Sequence, residues 1–129
     1  MRTLIARALL AQQADNPDTS HLLILDEPTA SLDLIARGHF LSLLSSFPTL
    51  YPNTAVLLIT HHVEEIPPCA IQIILMAAGR VITAGPPATT LTASNLSLLF
   101  EHPVTLTAHP TPLGQSYSAR VADGGLKPL

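Results

Sequence analysis

The chain has 129 residues, enough for one domain with a real core and too few to expect two. Hydrophobic residues make up 47% and charged ones 12%, which excludes a disordered chain, and a formal net charge of −3 with six Lys plus Arg leaves no basic stripe for a nucleic-acid backbone. A single cysteine, Cys69, excludes an internal disulfide and a cysteine-based zinc site, and no apolar run approaches the roughly 20 residues that span a bilayer.

Arg2 to Gln13 are good helix formers, with Leu4, Ile5, Ala8 and Leu9 on one face. The same residues imitate a targeting segment, but Arg7 interrupts the apolar core that a secretory signal needs, so a helix of the fold is the better reading. Asp15 to Ser20 are dense in turn formers, and the chain then enters a strand at His21 or Leu22. Leu22-Leu23-Ile24-Leu25 is apolar at every position, the pattern of a strand covered on both faces in a parallel sheet flanked by helices. That run delivers two adjacent acids, Asp26 and Glu27, to its carboxyl end, where ligands meet such sheets. A turn follows, and Asp33 stands as N-cap of a helix from Leu34 to Phe47 that Pro48 is expected to stop. Leu34, Phe40, Leu41, Leu44 and Phe47 give that helix its apolar face.

Thr54 to Thr60 form a second buried strand, so strand, helix and strand make a right-handed crossover with parallel strands. His61 and His62 then emerge at the same sheet edge as the acid pair. Val63 to Ile66 allow one short helical piece before Pro67-Pro68 ends it. Ile71 to Met76 and Arg80 to Ala84 form a hairpin through Ala77-Ala78-Gly79, and short helices are expected around 88–91 and 94–100. Beyond Glu101 prolines and glycines multiply, and Val104–Thr107 with Tyr117–Val121 reads either as a small hairpin or as a frayed tail. The expected division is 1–101 for the α/β part and 102–129 for the tail.

Two acids at a strand end suit nucleoside triphosphate hydrolysis, in which one helps hold Mg²⁺ and the other orients or deprotonates the attacking water. A histidine at the end of the neighbouring strand can hydrogen-bond the terminal phosphate. Taken alone, acids after an apolar run are a weak signal, because acids often end strands simply to meet water. The longer string is more specific. Leu-Ile-Leu-Asp-Glu-Pro-Thr-Ala-Ser-Leu-Asp over 23–33, followed by Leu-Ile-Thr-His over 58–61, resembles the Walker B motif, D-loop and switch-histidine loop of ATP-binding-cassette (ABC) transporter ATPases. Glu27 and His61 are 34 positions apart, room for the helix and strand that the family places between them. Arg2 to Leu9 is similar to the helix that follows the family's signature loop, and the likeness runs on to about Phe100.

The resemblance implies a partial P-loop NTPase fold, α/β with a mostly parallel sheet and flanking helices. It implies Asp26 for Mg²⁺ through water, Glu27 for activating the hydrolytic water, His61 for the γ-phosphate, and Ser31, Leu32 and Asp33 for the loop that meets an opposite subunit. It further implies ATP and Mg²⁺ as cofactors, membrane permease subunits as partners, and a cytoplasmic location at the inner face of a membrane. His62 reads as a surface residue, and Asp33 as a helix cap whatever else it does. No Gly-x-x-x-x-Gly-Lys-Ser/Thr string occurs in the 129 residues, so the phosphate-cradling loop is absent, and the signature loop would lie just before Met1. The expectation is the carboxyl-terminal half of a nucleotide-binding domain, with its first half missing, that binds ATP negligibly by itself. Three readings stay open: a fragment or mis-started form of a transporter ATPase, a short inactive protein that pairs with a complete ABC subunit, and an ABC ATPase that serves no transporter.

Overall fold

A computed structural model describes residues 19–122, which form two units meeting in sequence at His61 and His62. The helix expected over Arg2–Gln13 lies outside the described residues. In the first unit, strand β1 (His21–Asp26), helix α1 (Leu34–Leu50) and strand β2 (Thr54–Ile59) make the expected crossover. β1 and β2 pair in parallel, in register from His21 opposite Thr54 to Asp26 opposite Ile59.

Side chains alternate between the two faces of a strand, and burial in β1 and β2 follows that alternation. Leu23, Leu25, Val56 and Leu58 turn toward α1 and pack with its Phe40 and Leu44. Leu22, Ile24, Leu57 and Ile59 occupy the opposite face and are exposed. The expectation of strands covered on both faces therefore holds for one face of the described unit.

Two details of α1 differ from the sequence reading. Pro48 lies inside the helix, which ends at Leu50. A proline removes one backbone donor and crowds the preceding turn. Here it falls in the last turn on the exposed side, and the ladder resumes at once with Tyr51 N donating to Phe47 O at 2.8 Å. The Phe47 and Tyr51 rings, 4.7 Å apart, reinforce that turn. Leu34 is 85% exposed, so the buried face consists of Phe40, Leu44 and Phe47.

The second unit begins with a 3-10 turn (Val63–Glu65), followed by the hairpin β3 (Ile73–Ala77) and β4 (Arg80–Gly85), short helices α2 (Pro87–Thr90) and α3 (Ala93–Phe100), and a hairpin of β5 (Val104–Thr111) and β6 (Gly114–Val121). The β3–β4 turn places Ala78 and Gly79 at positive φ, the geometry of tight hairpins. Among the described residues the parallel pairing is that of β1 and β2, and the other two pairings are antiparallel hairpins closed by short turns.

Of the two readings of the chain beyond Glu101, the hairpin is the one observed, and it is longer than expected. Pro110 is tolerated because both strands of a two-stranded hairpin are edges. Val104 and Tyr117 enter one core with Val63, Leu75, Leu91 and Leu96. No helix among the described residues is long and apolar enough to cross a membrane.

Candidate functional site at the carboxyl end of the parallel strands

The ladder between β1 and β2 extends one residue past Asp26, because Glu27 N donates to Ile59 O at 2.9 Å. At Glu27 the backbone leaves the strand in the left-handed region, with φ 44°. A non-glycine residue there costs on the order of 1–3 kcal/mol and persists only where its surroundings hold it. Pro28 and Thr29 are buried beneath the turn, Ala30 N donates to Glu27 O at 3.2 Å, and Leu32 N donates to Thr29 O at 3.0 Å. The two acids are separated by this break in the strand. Asp26, paired with Ile59, stays on the face away from α1, and the Glu27 side chain reaches His61.

The Glu27 Oε1 to His61 Nδ1 distance is 2.7 Å. An ionised carboxylate only accepts, so the proton of this bond belongs on Nδ1. The His61 side chain is 69% exposed and that of Glu27 33%, so the pair contributes no more than about 1 kcal/mol. Solvent reaches both groups, and a bound ligand can compete for either at small cost.

The other candidate residues fall on the turn that follows. Ser31 is exposed. Asp33 is the N-cap of α1, its Oδ1 accepting from Ala36 N at 2.8 Å, so its local role is observed directly. His62 opens the 3-10 turn and is half-buried. No cluster of three or more His, Cys, Asp and Glu side chains that could hold a metal occurs among the described residues. The exposed carboxylate of Asp26 nevertheless suits Mg²⁺, which takes one or two carboxylates and fills its octahedron with phosphate oxygens and water. Burial pushes the Cys69 thiol up, away from the reactive thiolate.

Buried Thr29 and Glu65, 1% and 2% exposed, were not marked by the sequence. A threonine in a turn and the second of two glutamates give no periodic signal of burial. Glu65 belongs to the 3-10 turn of the second unit, and its neighbour Glu64 accepts from Ala119 N at 3.2 Å.

No family model matches the chain. Among curated proteins it is 39% identical over 103 residues to the ABC transporter ATP-binding protein YlmA of Bacillus subtilis, a match covering 80% of this chain and 36% of that protein. It is 34% identical over 109 residues to the hemin import ATP-binding protein HmuV of Rhodococcus jostii, covering 84% of this chain and 34% of the relative. A solved structure described as a metal-chelate type ABC transporter in an inward-facing conformation superposes with a TM-score of 0.65 at 26% identity, over 80% of this chain and 40% of that one. The chain spans little more than a third of the length of these relatives. With these matches in sequence and in fold, the chain is recognised as part of an ABC-transporter-type ATPase domain.

Proposed function

We propose that the chain is the carboxyl-terminal part of an ATP-hydrolysing subunit of an ABC transporter, with residues 1–101 carrying the ATPase portion. The observation that supports this most is the 2.7 Å bond between Glu27 and His61, two residues 34 positions apart that meet at the carboxyl end of the parallel pair beside Asp26.

In this reading Glu27 orients and deprotonates the water that attacks the terminal phosphate. General-base catalysis of this kind contributes about 10² to 10⁴ in rate. His61 gives up its bond to Glu27 in favour of a phosphate oxygen, an exchange made easy by the exposure of the pair. Asp26 holds Mg²⁺ through water, and Mg²⁺ when bound neutralises phosphate charge. Ser31 and Asp33 present the turn to an opposite subunit, Asp33 keeping its cap at the same time. ATP affinity requires the phosphate loop, which the 129 residues do not contain. In this reading that loop comes from the first half of the same domain or from a second ABC subunit. Permease subunits complete the assembly, at the cytoplasmic face of a membrane.

The test is a graft. The segment of YlmA that matches this chain is replaced by the chain's own residues, and Mg²⁺-dependent ATP turnover of the purified protein is measured. Turnover within about tenfold of the parent supports the proposal. Nucleotide binding without turnover would instead favour the short inactive partner.

A further inference from the structure

Three residues after His61, the Glu64 side chain makes a bond of long reach. Its Oε1 accepts from Ala119 N on β6 at 3.2 Å, 55 positions further along the chain. Two more contacts hold the same stretch to the same hairpin. Val63 is buried in one core with Val104 and Tyr117, and Gly114 brings its backbone so close to the Pro68 carbonyl that a Cβ there would overlap it. The 3-10 turn starts from the carbonyl of His62, which accepts from Glu65 N at 3.1 Å. Pro67 and Pro68 have fixed φ, so the stretch 63–68 has few soft torsions with which to absorb a shift of the hairpin. β2 ends at Ile59 and the 3-10 turn begins at Val63, so His61 stands in a connection made of Thr60, His61 and His62. A side chain 69% exposed takes little orientation from packing, and the backbone that carries it decides where the ring can reach.

We infer that the β5–β6 hairpin sets the position of His61 through residues 62–64, with Glu64 as a positioning residue. The inference rests on the function proposed above, and it carries the working part of the chain past Glu101 into the hairpin. Glu64 touches no substrate in this account. Its carboxylate, with the buried Val63, fixes the 3-10 turn to β6, and the turn fixes the His62 carbonyl from which His61 is one residue away. The His61 ring can then lie 2.7 Å from Glu27 and exchange that bond for a phosphate oxygen without a search. A reacting or orienting group misplaced by about 1 Å can lose on the order of 10² in rate. A hairpin that merely completed its own core would be stabilised by the same contacts but would leave His61 indifferent to Glu64, and that difference is measurable.

The first measurement uses the 129-residue chain without nucleotide. The bond to Glu27 places the His61 proton on Nδ1, and the ring nitrogen chemical shifts at mildly alkaline pH read that placement, assigned by their loss in His61→Gln. Glu64→Ala removes the acceptor and Gly114→Ala crowds Pro68, and each should move the proton toward Nε2. Glu64→Gln keeps an acceptor for Ala119 N and should restore the wild-type signature. Thr92→Ala removes the cap of α3, a loss of stability placed on another element of the same unit, and should leave the signature unchanged. Far-UV circular dichroism checks that each variant keeps its fold. In the YlmA graft, carried through to Ala122 so that β5 and β6 are this chain's own, Glu64→Ala should lower kcat about tenfold with KM for ATP within about twofold, and Glu64→Gln should recover it. A signature absent from the wild-type chain, unmoved by both Glu64→Ala and Gly114→Ala, or moved as far by Thr92→Ala, would overturn the inference. A signature that moves as expected, beside a graft that binds ATP without turnover, would uphold the positioning of His61 and remove the hydrolytic function.

Discussion

Asp33 offers a substitution series in which a local role and an intersubunit role give different results. Its Oδ1 accepts from Ala36 N at 2.8 Å and satisfies one of the orphan donors at the start of α1. Asp33→Ala removes the acceptor, at about 1 kcal/mol, and the favourable charge at the helix N-terminus, at about 0.3–1 kcal/mol for an exposed group. Asp33→Asn keeps an acceptor and loses only the charge. The expected losses are about 1.5 kcal/mol for Ala and about 0.5 kcal/mol for Asn, or on the order of 6–12 °C and 2–4 °C in Tm for a unit of this size. Thermal melts followed at 222 nm suit the purpose, because among the described residues α1 supplies 17 helical residues against 4 in α2 and 8 in α3. Asn as damaging as Ala, or Ala without effect, would refute the capping argument. In the grafted protein, Asp33→Asn that keeps its stability and loses turnover would reveal the second role at the subunit contact.

The second unit gives two further predictions. Leu96 is fully buried among Leu75, Leu91, Val104 and Tyr117, so Leu96→Ala should cost about 3 kcal/mol or more, out of a net stability of about 5–15 kcal/mol, measured by urea denaturation. Gly114 has φ +136°, and a Cβ there would overlap the Pro68 carbonyl oxygen. Gly114→Ala should destabilise by about 2 kcal/mol and lower the protection of the β5–β6 amides in hydrogen exchange, because a backbone oxygen cannot swing aside as a flexible side chain can.

The sequence was most legible where periodicity and capping carry the signal. The uninterrupted apolar runs ending at Asp26 and before His61 marked β1 and β2, and Asp33 marked the start of α1. It was less legible where a local rule is overruled by context. Pro48 signals a stop, but a proline on the exposed side of a last turn removes a single bond, and α1 runs on to Leu50. The 102–122 stretch carries proline and glycine at a density that suits a tail equally well. What decides for the hairpin is burial of Val104 and Tyr117 in one core with Val63, Leu75, Leu91 and Leu96, a contact that no local pattern in the stretch announces. At the site, the acid and histidine types and their spacing were readable, and their contact was not. It depends on the left-handed backbone at Glu27, a conformation that nothing in the residues Asp26-Glu27-Pro28 announces.

The most direct test of the central claim is Glu27→Gln in the grafted YlmA protein, with Mg²⁺-ATP binding and steady-state turnover measured on the same preparation. Glutamine keeps the shape of the side chain and can still hydrogen-bond His61, but it cannot accept the proton of the attacking water. The account predicts ATP affinity within about threefold of the unsubstituted graft and turnover lower by about 10² or more. Turnover that survives the substitution would contradict it.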